Sequence, residues 1–383
     1  MCSPQIRLTM HRLLKKLTIA GIAVFIALLS LEFGVRIVSP QDLGFWDSHS
    51  FRRIQIGPPH FIENIPGGQA RFTGVPVAIN SLGFRGAEIT IPKPPNTIRI
   101  MAVGDSITFG YGVPIEDTYA KALERRLNEH PLAGVRYEVL NGGTLGGSLV
   151  DYLHFLYEKA SLVQPDIVLI GLCLNDILVY TQAGPISRPE EDVRDNEILW
   201  ARHLNRFVLQ HSHLYTLMYS RLKSFLYGSG ILDINKVQDL NFLVLSPPSD
   251  YQKKAWESSL GMLTQIAIFC REHEYQLVVA AFPMQMQLSM SNLQFYREKY
   301  HLRLSDNALS GDPQRRLQEY ASTTGLTLVD LLPAYRRYDP NELYLHNQMI
   351  PADPTHPSVK GNQIAADAIF LALQSTVHTG DNR

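Results

Sequence analysis

Apolar residues fall in three rhythms along the chain. Leu17 to Leu31 is almost wholly apolar and follows Arg7, Arg12, Lys15 and Lys16. Residues 40–95 show no clear period and hold many Pro and Gly. From Ile98 onward, short continuous apolar runs alternate with segments of helical spacing. The runs Ile98–Val103, Tyr137–Leu140, Asp166–Cys173, Gln276–Phe282 and Leu326–Leu331 read as strands. The third is unbroken, as in a parallel strand buried on both faces. Helices are predicted near 116–129, 148–162, 250–274, 313–323 and 358–374. The order gives an α/β domain of about five parallel strands with helices on both faces. Between 177 and 249 the alternation stops, and Leu199, Trp200, Leu204, Phe207, Val208, Leu214, Leu217 and Met218 mark one helical segment over 196–227. That insertion is either a cap beside a site or a surface element.

As a helix, Leu17–Leu31 spans roughly 23 Å; continuing to Val38 covers the hydrocarbon core of about 30 Å. Glu32 and Arg36 lie four apart on that extension, placed to pair or snorkel. A cleavable signal is the competing reading, but no small-x-small site follows Leu31, which favours a retained anchor. A buried soluble helix leaves the basic flank unexplained. Positive residues stay cytoplasmic, so the bulk of the chain is expected on the far side of that membrane. The expected organisation is 1–39 cytoplasmic tip and transmembrane anchor, 40–95 linker and strap, and 96–383 the α/β domain with its insertion at 178–249. Within the strap, Ile79–Gly86 reads as a hairpin or turn against the body.

Charge and cysteines narrow the function. The net charge is −1, with no basic face for a nucleic acid. Three cysteines imply no disulfide framework. His211 and His213, two apart on a helix, do not share a face as metal ligands would. Gly104, Gly110 and Gly112 miss the dinucleotide fingerprint, and no Gly-Lys-Ser/Thr follows, so neither cofactor nor metal is expected.

The chemistry gathers at the strand ends. The first strand breaks at Gly104-Asp105-Ser106, which puts a serine hydroxyl on a tight turn at the carboxyl edge of the sheet, where open α/β sheets bind ligands. The second strand ends in Asn141-Gly-Gly-Thr-Leu-Gly-Gly-Ser148 and the third in Asn175-Asp176. The last loop holds Asp353-Pro-Thr-His356, in which a carboxylate can turn back onto an imidazole and fix its tautomer. A second copy of that spacing, Asp151 to His154, falls inside a predicted helix and is read as structural. Asp105 and Asp176 are read as turn-bonding residues.

These four blocks, in this order, resemble the SGNH (GDSL) hydrolase superfamily over about residues 98–374. The resemblance implies a three-layer α/β/α flavodoxin-like fold and ester-directed acyl transfer. It assigns Ser106 as nucleophile, His356 as base and Asp353 as its orienter. It implies an oxyanion hole of the Ser106 and Gly146 N–H groups and the Asn175 amide, with Gly143 as the alternative alignment. One departure is Cys173, where the family usually has Gly; it is expected to alter the strand end or narrow the pocket. The implied partner is an ester-bearing small molecule or glycan. An esterase acting on short-chain, O-acetyl-like esters outside the membrane is the leading reading. An O-acyltransferase on an envelope glycan and an inactive glycan-binding module compete with it.

Overall fold

Thr97–Gly104 shows why five unbroken apolar runs make one sheet. Ile100 and Ala102 pack into a core on one face, Met101 and Val103 into a second core on the other. Neighbouring strands split in the same way, with Leu169 and Ile170, and Ala280 and Ala281, facing opposite cores. Burial on both faces removes polar alternation.

The computed structural model describes residues 4–41, 43, 51–55, 61–129, 131, 134–181, 184–186, 199–231, 249–301, 303–346 and 353–380. The described strands are β1 Arg52–Gln55, β2 Phe61–Asn64, β3 Gln69–Phe72, β4 Val75–Ala78, β5 Thr97–Gly104, β6 Arg136–Gly143, β7 Ile167–Cys173, β8 Val179–Thr181, β9 Gly184–Ile186, β10 Gln276–Phe282 and β11 Thr327–Asp330. The helices are α1 Pro4–Val38, α2 Ser106–Phe109, α3 Tyr119–Glu129, α4 Leu149–Val163, α5 Leu199–His211, α6 His213–Gly228, α7 Asp250–Glu272, α8 Met290–Tyr300, α9 Asp312–Thr324, α10 Leu332–Tyr335, α11 Pro340–Leu343 and α12 Val359–Gly380.

The chain divides into two units: residues 1–46 with 197–224, and residues 47–196 with 225–383. In the larger, the main sheet has the order β11-β10-β7-β5-β6, all parallel. Counted along the sheet's own strands this is 2-1-3-4-5, the flavodoxin-like order. Its α3 and α12 share the core face of Ile100, and α4 and α7 that of Met101. The strand order reverses between β5 and β7, so their carboxyl ends open the switch-point crevice.

Three local readings change. The helix expected from Glu116 begins at Tyr119, after a tight turn at Ile115–Asp117. The strap holds two hairpins, β1–β2 and β3–β4, and Arg85 bridges to Asn141 beside the sheet. The single insertion helix is two, broken at Ser212, whose hydroxyl accepts from the Tyr215 N–H at 3.0 Å; such hydroxyls favour helix starts. The expected helix start at Asn196 and the Ser246-Pro-Pro punctuation lie outside the described residues.

In the smaller unit, the 26 residues Leu13–Val38 of α1 are long and apolar enough to cross a membrane.

Candidate active site

The turn after β5 is built by one carboxylate. Asp105 caps α2, its Oδ1 accepting from the Ile107 N–H at 2.8 Å. Ser106 is then the first residue of that helix, and its N–H has no intrahelical partner. Gly110 closes α2 at φ 85°, a left-handed conformation that favours glycine. The buried Arg85 guanidinium holds this exit, donating to the carbonyls of Phe109 at 2.6 Å, Gly110 at 2.8 Å and Val113 at 2.9 Å. Burial lowers its pKa to about 10.

His356 arrives from 250 residues along the chain, and its Nε2 lies 2.8 Å from Ser106 Oγ. Its Nδ1 lies 2.6 Å from Asp353 Oδ2. Asp353 Oδ1 accepts the backbone N–H groups of Thr355 at 2.8 Å and His356 at 2.9 Å, which folds the loop over the carboxylate. Burial pushes the Asp353 carboxyl up, but the His356 charge and these hydrogen bonds outweigh it and leave its pKa below the ordinary 3.8. Burial pulls His356 down, but the charge and hydrogen bond of Asp353 prevail, with Asp105 adding to them, so its pKa lies above the ordinary 6.5.

Asn175 follows β7 and is exposed. Its Nδ2 donates to Asp105 Oδ2 at 3.1 Å, which ties the side chain to the nucleophile turn. The loop after β6 is fastened to the same edge by the Thr144 N–H, which donates to the Gly104 carbonyl at 2.9 Å. The two glycine alignments separate here. Gly143 is still in the sheet opposite Gly104, and its N–H donates to Asn141 Oδ1 at 3.1 Å. Gly146 lies in the loop at φ 72°, and its N–H makes no hydrogen bond among the described residues.

Cys173 is fully buried in the core beside β10, and burial first, then the charges of Asp105 and Asp176, push its thiol well above the ordinary range. It fills a core position. Asp176 accepts from Tyr152 Oη at 2.8 Å and the Cys173 N–H at 3.0 Å. Asp151 accepts from the Ser148 N–H and the Ile62 N–H, each at 2.8 Å, while His154 stacks on Phe61. Both act in the framework, as read from sequence.

Two residues at this edge escape the sequence reading. Tyr111 stacks on the His356 ring at 4.2 Å between centroids, and it continues through Phe72 into the strap's aromatic cluster. Its position inside the nucleophile stretch was the available signal. The half-buried Arg52 of β1 donates to the Leu145 carbonyl at 2.7 Å, and burial lowers its pKa. It sits in a segment without periodicity, so no sequence signal pointed to it.

A serine, an imidazole and a carboxylate in hydrogen-bonded series suit acyl transfer. Among the described residues, no cluster of three His, Cys, Asp or Glu is placed to hold a metal. No curated protein matches the sequence. Among solved structures, the acetylxylan esterase of Geobacillus stearothermophilus is similar at 15% identity, covering 72% of this chain and 93% of its own, with a TM-score of 0.39. A GDSL-like lipase from Bacteroides thetaiotaomicron is similar at 11% identity, covering 76% and 93%, with a TM-score of 0.35. The sequence model of one family matches residues 102–364, which run from within β5 into α12 and take in the serine turn, the glycine loop, the Asn175 turn and the Asp353–His356 loop. With well over half of its length matched, the chain belongs to the GDSL-like lipase/acylhydrolase family.

Proposed function

We propose that the protein is a serine esterase that hydrolyses short-chain, O-acetyl-like esters on the far side of the membrane from its amino terminus. One observation carries the reading: Ser106, His356 and Asp353 form a continuous series at 2.8 and 2.6 Å.

In the mechanism, His356 Nε2 takes the Ser106 proton as Oγ attacks the ester carbonyl carbon. Asp353 stabilises the imidazolium. The oxyanion accepts from the N–H groups of Ser106 and Gly146 and from the Asn175 amide, all fixed before charge develops. Collapse expels the alcohol, which takes its proton from His356. Water then attacks the acyl-enzyme by the same route, and Ser106 and a carboxylic acid are released. The basic amino-terminal flank supports an inside amino terminus.

The test compares full-length wild type and Ser106→Ala, matched by circular dichroism, on p-nitrophenyl acetate. Hydrolysis by the wild type and none by the variant is expected. Equal rates in both would remove Ser106 from the chemistry. Acetyl appearing on an added glycan at the expense of free acetate would turn the assignment to an O-acyltransferase.

A further inference from the structure

The apolar helix α1 carries one ion pair inside its membrane-length window, and that pair fastens another element. Glu32 and Arg36 meet at 2.8 Å. The Glu32 carboxylate also accepts from Ser212 Oγ at 2.8 Å, the His213 N–H at 3.0 Å and the Leu214 N–H at 2.9 Å, the unpaired donors at the start of α6. Arg36 Nη2 donates to the carbonyl of His211, the last residue of α5, at 3.2 Å. The Gln41 N–H donates to His213 Nδ1 at 2.8 Å. The turn between α5 and α6 is therefore locked onto the last turns of α1. Every described side chain from Leu13 to Leu31 is exposed, and among the described residues the hydrogen bonds to the hairpin come from this end of α1.

That attachment sets the height of the turn between α5 and α6 in a bilayer. Leu13–Leu31 spans roughly 28 Å as a helix, close to the hydrocarbon thickness of about 30 Å, with Lys15 and Lys16 in its first turn, near enough to the cytoplasmic surface to snorkel. Glu32 then stands at the boundary, and α5 and α6 start from it. On α6, Tyr215, Met218, Leu222 and Phe225 recur at i, i+3, i+7 and i+10 and share one face. Met218, Leu222 and Phe225 are 60%, 57% and 64% exposed. On α5, Leu204 and Phe207 are likewise exposed. From Leu199 to Ile231 the sequence holds Arg202, Arg206, Arg221 and Lys223 and no acidic residue.

We propose that α5–α6 is a membrane-interfacial hairpin. Its apolar stripe lies in the headgroup–acyl boundary of the leaflet on the catalytic side, with the exposed Arg221 beside the stripe at the level of anionic lipid phosphates. An exposed apolar stripe on a segment that holds Arg and Lys and no acidic residue is what such helices carry. The inference rests on reading α1 as the membrane anchor.

The test places single spin labels on the full-length chain in nanodiscs of phosphatidylcholine and phosphatidylglycerol. Cys2→Ser supplies the background, since Cys173 and Cys270 are buried. Labels go at Met218→Cys and Leu222→Cys, at Arg221→Cys on the polar flank of the stripe, and at Ile22→Cys in α1. The expected result is oxygen-rich, nickel-poor accessibility at 218, 222 and 22, and the reverse at 221. Nickel access at 218 and 222 with Ile22 still in lipid would overturn the hairpin proposal and leave the anchor standing. Shielding of 218 and 222 from both reagents would instead mean that a protein covers the stripe, and would overturn it. Aqueous access at Ile22 would overturn the anchor and the hairpin together.

Discussion

Arg52 Nη1 donates to the Leu145 carbonyl at 2.7 Å, and through that one peptide it acts on Gly146. The C=O and N–H of a trans peptide point in opposite directions. A guanidinium pinning the carbonyl therefore aims the Gly146 N–H and makes it a stronger donor. No carboxylate pairs with Arg52 among the described residues, so its charge is left for this peptide.

Arg52→Met should therefore lower kcat by roughly tenfold to a hundredfold, the equivalent of one charge-assisted hydrogen bond, with little change in KM. Arg52→Lys should recover part of the loss. Steady-state kinetics on p-nitrophenyl acetate make the check, and an unchanged kcat would remove Arg52 from the oxyanion peptide.

The raised pKa of His356 fixes the sign of the pH dependence. The base must be neutral, so kcat/KM should climb with pH through a value above 6.5 and then level off. In Asp353→Asn the charge that raises it is gone, and burial pulls the imidazole down. The acid limb should move to lower pH, while kcat falls by roughly ten thousandfold as the tautomer is lost. A pH profile of both proteins reads this; a limb that stays in place means another group controls it.

Asn175→Ala should cost roughly a hundredfold to a thousandfold in kcat, as the loss of one oxyanion donor does. Asp105 is a positioning residue for the same amide, which it holds at 3.1 Å. Asp105→Asn should therefore reduce kcat with KM preserved, and adding Asn175→Ala to it should cost little more. Fully additive losses in that double-mutant cycle would separate the two.

Arg85 should matter for folding first. It is 3% exposed, satisfies three carbonyls at the exit of α2 and lies 4.7 Å from the Phe109 ring centroid. Arg85→Met leaves those carbonyls without donors, which should cost about 3 kcal/mol or more. Denaturant unfolding of the detergent-solubilised chain measures it, and a change under about 1 kcal/mol would mean that water replaces the guanidinium.

Much of this protein was legible in its residues alone. Continuous runs such as Ile167–Cys173, short and alternating with helical spacing, read as parallel strands buried on both faces, and the helices between them follow from their spacing. Ser106 stood at a strand-end turn and Asp353 and His356 in a Pro-bracketed loop, but it was the resemblance of four blocks in order to one family that picked them out and added Asn175. What tertiary structure decided were contacts made at long range by segments with no period of their own. Arg52 and Arg85 lie in the strap, whose hairpins are too short to pattern. The separation of Gly146 from Gly143 depends on which N–H the Asn141 side chain has already taken. Glu32 and Arg36 read as an isolated pair on an apolar helix, yet their partners are backbone groups at Ser212–Leu214 and His211. Backbone donors and acceptors are the same in every residue, so sequence cannot say which of them a distant side chain will find.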